Sequence, residues 1–127
     1  MKEISVIAKN RVGAFADVAE ALGKVGVNIK TVMVNGSGET AVIRLITEDD
    51  VSAKNALEKA GMNPRVSEIL LLSMRDRPGE LAKIVRKLAL AGVDLESVYI
   101  AGRTASGDVE VAIKPDNFGK AASALKK

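Results

Sequence analysis

The chain moves between two rhythms of apolar residues. Ile4, Val6 and Ala8 alternate, so they share one face of a short strand. From Ala14 the period changes. Phe15, Val18, Ala19, Leu22 and Val25 fall at i, i+3, i+4, i+7 and i+10, the series of a helix buried on one side. Gly26 then stands where a helix ends in a left-handed residue. Residues 28–34 are rich in β-branched side chains and predict a strand. Asn35, Gly36, Ser37 and Gly38 predict a hairpin, with 40–47 as the returning strand. Glu48, Asp49 and Asp50 supply the acids and cap candidates of a helix start. That helix carries Ala53, Ala56, Leu57 and Ala60 on one face and stops at Gly61. After Pro64, Arg65 and Val66 supply a short fourth strand, giving βαββαβ.

The plan then repeats. Strand 69–74, turn 76–79, helix 80–91, a stop at Gly92, strand 95–101, strand 109–114 and helix 116–125 follow in order. The copies lie 66 residues apart (79 − 13, 92 − 26, 94 − 28). Residues 9–36 align with 75–102 without a gap, and 8 of the 28 pairs are identical. They include Arg11/Arg77, Gly13/Gly79, Leu22/Leu88, Gly26/Gly92 and Gly36/Gly102. Chance at average composition gives roughly 2. The second copy has no residues for a fourth strand, so strand 69–74 is expected to keep one open edge. The fold expected is α+β, two ferredoxin-like βαββαβ units at 1–67 and 68–127, the second lacking its last strand. A unit of 66 residues alone buries only about 60% of its unfolded surface, so two packed copies make better sense than one.

Composition narrows the chemistry. The chain has 127 residues, 47% of them hydrophobic and 28% charged, with a net charge of +3. There is no Cys and no His, which excludes disulfides, the usual zinc sites and every Ser-His-Asp or Cys-His constellation. We therefore expect no enzyme, no metal and no cofactor. Aromatic residues amount to 2%, leaving almost nothing for bases to stack on, so no nucleic-acid partner is expected. Residues 69–72 are the longest strongly apolar run, far too short to span a bilayer, and the first ten residues carry charges unlike a signal peptide. A cytoplasmic protein is the expectation.

At this point a resemblance enters. Asp76-Arg77-Pro78-Gly79-Glu80-Leu81-Ala82, followed by Leu88-Ala89-Leu90-Ala91-Gly92-Val93-Asp94-Leu95, resembles the signature of ACT domains, small amino-acid-sensing modules. Asn10-Arg11-Val12-Gly13-Ala14-Phe15 and Gly26-Val27-Asn28-Ile29 resemble it too. The resemblance covers the chain as two tandem domains. It implies that domains pair through the strand after the first helix and hold a small amino acid at the seam. The positions it implicates are Asn10, Val12, Gly13, Ala14, Asn28 and Ile29, with Asp76, Pro78, Gly79, Glu80, Asp94 and Leu95 in the second copy.

The residues suit that ligand. A zwitterion needs donors for its carboxylate and acceptors for its ammonium. A helix start offers unpaired N–H groups, and a glycine without Cβ allows close approach. Asn10 and Asn28 both donate and accept, whereas ionised Asp76 and Asp94 only accept. Sites involving Asn28 are therefore expected to bind best. Read in isolation, Asn10 and Asp76 are N-caps, Gly26 and Gly92 helix stops, and Arg11 and Arg77 solvated. The stripes Phe15, Val18, Leu22 and Leu81, Ile84, Leu88 read as core. The expected function is a stand-alone regulator, a homodimer that binds an amino acid and signals to a metabolic enzyme or regulator. The alternative is an oligomerisation module whose ligand site has decayed.

Overall fold

A computed structural model describes residues 1–126. The elements in order are β1 (Lys2–Lys9), α1 (Ala14–Lys24), β2 (Ile29–Ser37), β3 (Thr40–Thr47), α2 (Asp50–Lys59) and β4 (Arg65–Glu68). There follow β5 (Leu70–Met74), α3 (Glu80–Leu90), β6 (Leu95–Arg103), β7 (Val109–Pro115) and α4 (Phe118–Leu125). The chain divides into two compact units, one of Lys2–Ser67 and the other of Glu68 onward together with Met1.

In the first unit four strands form a sheet in the order β2-β3-β1-β4, the ferredoxin-like βαββαβ arrangement. β3 lies antiparallel to both β1 and β2. Ile4 and Val6 of β1 and Ile43 and Leu45 of β3 bury against Val18 and Leu22 of α1 and Ala53, Ala56 and Leu57 of α2. Both helices therefore cover one face, as the alternation in the strands and the 3.6-residue stripes require. Glu3 faces the other way. It is 1% exposed and pairs with the half-buried Arg44 at 3.0 Å, an ion pair that the apolar pattern did not reveal.

The second unit forms a three-stranded sheet in the order β5-β7-β6, antiparallel throughout. Its core joins Leu88 of α3 and Ala121 of α4 to Val109, Val111 and Ile113 of β7. No strand follows α4 among the described residues, and β5 is an edge of its sheet.

Punctuation explains the boundaries. Gly26 (φ +74) and Gly92 (φ +74) end α1 and α3, with Val27 and Val93 N–H donating back to the Leu22 and Leu88 carbonyls. Among the cap candidates of α2, Asp49 does the work: its side chain accepts from the Ser52 N–H at 3.1 Å. Asn117 does the same for α4, which starts at Phe118 rather than at 116. The first hairpin differs from expectation. β2 runs on through Asn35 and Gly36 to Ser37, and the turn is Gly38-Glu39. Gly38 takes φ +59 at the first central position while Glu39 does not turn positive, the pattern of a two-residue II′ turn.

Candidate functional site

Each unit carries the same turn between its first strand and first helix. Gly13 (φ 88, ψ 0) and Gly79 (φ 87, ψ −11) are the N-cap residues of α1 and α3, in left-handed conformation. A side chain is rarely stable there, so glycine is required by the backbone as well as by any ligand. Within each turn one of the orphan helix donors is already spent. Ala14 N–H donates to the Arg11 carbonyl at 3.2 Å and Glu80 N–H to the Arg77 carbonyl at 3.3 Å. Val12 and Pro78 sit exposed at the tips, Val12 completely so.

Asn10 and Asp76 are not N-caps, because neither helix start receives a side-chain hydrogen bond. Both reach across instead, Asn10 to the β2–β3 turn and Asp76 to the end of β6. Asn10 Nδ2 donates to the Gly38 carbonyl at 3.0 Å and its N–H to the Glu39 carbonyl at 2.8 Å. The amide lies so close over Gly36 that a Cβ there would stand 2.9 Å from Asn10 Oδ1. Asp76 Oδ2 accepts from Arg103 at 2.8 Å. Nor are Arg11 and Arg77 simply solvated. Arg11 pairs with Asp17, and Arg77 donates to Glu80 at 2.8 Å. The Arg77 hydrogen bond, aided by nearby Lys83, holds the Glu80 carboxyl below its ordinary pKa.

The other implicated residues lie elsewhere. Asn28 is exposed and its carbonyl accepts from Glu48 N–H at 3.1 Å. Asp94 is exposed, and it exchanges two bonds with Asp116, 2.9 Å to the backbone and 3.1 Å to the side chain. Ile29 and Leu95 pack against the two cores. Asn10 thus sits beside Glu39 at one end of β3, and Asn28 beside Glu48 at the other. At 3.3 Å per residue the separation is roughly 30 Å. The second unit divides likewise, with Asp76 at the Val109 end of β7 and Asp94 at the Pro115 end. Within one unit the turn residues come together, and the strand-start residues do not join them.

One cavity lies at the second turn, about 120 Å³ in volume, among Met74, Arg75, Asp76, Arg77, Leu81, Ile100, Arg103, Val109 and Val111. Leu81, expected in the core, is 40% exposed on its wall, and Ile100 is 67% exposed. Arg103 was not singled out in the sequence, since the ungapped alignment stopped at 102. Its counterpart 66 residues earlier is Ser37, so the repeat itself held the signal of a charge gained in the second copy.

Among the described residues no helix is long and apolar enough to cross a membrane. An uncharacterized protein of Methanocaldococcus jannaschii is 33% identical over 58 residues, which are 44% of this chain and 40% of that one. The matched stretch therefore spans well under half of that relative. A solved protein of Bacteroides thetaiotaomicron superposes with a TM-score of 0.87 at 26% identity, over 98% of this chain and 85% of its own. The ligand-free regulatory subunit of aspartate kinase from Thermus thermophilus shares the fold, with a TM-score of 0.71 at 21% identity over 98% and 87% of the two chains. Residues 2–60, all within the first unit, match the family model of the ACT domain.

Proposed function

We propose that the chain is a tandem pair of ACT domains, at 1–67 and 68–127, that binds a small amino acid where two units pair and passes that state to a partner enzyme or regulator. In this reading the chain itself catalyses nothing. The observation that carries it is the split of each candidate site between the two ends of an edge strand. β2 and β6 are both edges of their sheets, with Val32, Val34, Val98 and Ile100 exposed along them. An edge strand offers unpaired N–H and C=O groups to a neighbour. Two such edges laid antiparallel would bring the strand-start residue of one unit to the turn of the other. Asn28 would then face a glycine turn, completing a donor and acceptor set for a zwitterion. The fold is also one that a subunit named for regulating aspartate kinase uses.

The test is a thermal-shift panel of the twenty amino acids. A ligand of 6–12 heavy atoms supports micromolar to millimolar affinity, and at ~100 times Kd it adds about 2.7 kcal/mol of stability. Calorimetry on the responding amino acid should show Asn28→Ala weakening binding more than Asp94→Ala. No shift with any amino acid at high millimolar concentration would turn the reading to its alternative, an oligomerisation module with a decayed site. One observation favours that alternative: the acids at the second turn, Asp76 and Glu80, are already matched by Arg103 and Arg77.

A further inference from the structure

The two turns differ in charge and in space. In the first, the Asn10 amide is bound into its own hairpin, and Phe15 packs against the core where the second copy has Leu81. In the second, Leu81 leaves the cavity of about 120 Å³ open, with Met74, Val109 and Val111 below and Ile100 beside it. At its mouth Arg103 and Asp76 face each other at 2.8 Å, with side chains 61% and 58% exposed.

We propose that this cavity takes the side chain of a free aliphatic amino acid, whose carboxylate binds Arg103 and whose ammonium binds Asp76, the ligand replacing the ion pair between them. The inference rests on the amino-acid-binding reading and names the ligand class and the residues that select it. A cavity of about 150 Å³ with apolar walls holds a benzene molecule, so one of 120 Å³ suits a chain of four or five carbons. A guanidinium and a carboxylate already in contact are the mirror of a zwitterion's two charges. Inserting one amino acid between them leaves each group with a partner, and the planar guanidinium meets a carboxylate in its preferred two-bond geometry. The pair to be opened is exposed and screened by water, and such pairs hold together weakly. Arg75 lines the same cavity without a side-chain partner among the described residues, so the mouth carries a surplus positive charge that draws a carboxylate in.

The experiment is calorimetry on the full chain with leucine, glycine, glutamate and 4-methylpentanoate, the leucine skeleton without its ammonium. Leucine should bind at least tenfold more tightly than glycine or glutamate, and tenfold more tightly than 4-methylpentanoate. Arg103→Gln and Leu81→Phe should each weaken leucine at least tenfold, the second by filling the cavity with a larger side chain. Asp76→Asn, an exposed change, should weaken leucine but strengthen 4-methylpentanoate, whose carboxylate then meets Arg103 without a competing acid. If an amino acid binds but these variants bind it as well as the parent chain, this inference fails and the wider reading stands. If glycine or glutamate binds better than leucine, the aliphatic assignment fails. If no amino acid binds at all, both fail together.

Discussion

At the scale of single residues, two glycines that look alike in the sequence have different reasons to be glycine. Gly79 has open space around the position of a Cβ, so only its left-handed backbone (φ +87) resists a side chain. Gly36 has an ordinary backbone, and there the obstacle is the Asn10 amide at 2.9 Å. Gly79→Ala should therefore destabilise by about 1–2 kcal/mol through strain at the start of α3. Gly36→Ala should cost less than about 1 kcal/mol, because an exposed side-chain amide can swing aside, but it should free Asn10 from the Gly38 carbonyl. Chemical denaturation ranks the two, and the Asn10 side-chain amide signals in NMR report the second. The turn glycines were legible from the repeat. The closeness of Asn10 to Gly36 was not, because it spans 26 residues and depends on how β1 and β2 flank β3.

At the scale of elements, α1 and α3 occupy equivalent places after a glycine turn but meet the charge of their first turns differently. α1 begins with Ala14 and uses Asp17 to meet Arg11, whereas α3 places Glu80 in the first position, where the helix dipole and Arg77 both favour a carboxylate. The folded-state pKa of Glu80 lies below its unfolded value, so the folded chain holds that proton less tightly. Its contribution to stability is present above the ordinary glutamate range and is lost as pH falls through about 4. Melting temperatures taken between pH 7 and pH 3 should fall less steeply in Glu80→Gln than in the parent. Equal slopes would mean that the Arg77 contact contributes nothing. The hydrophobic stripes predicted the first three helices to within a few residues. Leu81 departs from its stripe because it borders the cavity at the start of α3, where it is 40% exposed.

At the scale of the whole molecule, each sheet ends in strands with open edges. β2 bears Val32 and Val34, 38% and 45% exposed, with no charged side chain beyond Lys30 to discourage pairing. We expect self-association in solution, seen as a rise in sedimentation coefficient with concentration in the micromolar range. Val34→Lys on β2 should weaken it while leaving the monomer folded, since Val34 lies outside the buried core. Ligand binding at paired edges would then shift the population of one pairing, which is how a small metabolite acts on a larger assembly.

The sequence by itself determined the order of the elements, the glycine turns and the side of each strand that faces the helices. All of these are periodic or local properties, set by a few neighbouring residues and the backbone conformations they permit. Only the tertiary structure decided which chemistry each turn presents. Asn10 is drawn to Gly38, 28 residues away, and Asp76 to Arg103, 27 residues away, because the hairpin folds back beside the turn. The amide that looked free to bind a zwitterion is occupied, and the acid that looked repulsive to one has a partner to share. Charges separated in sequence acquire their meaning only when the sheet sets them side by side.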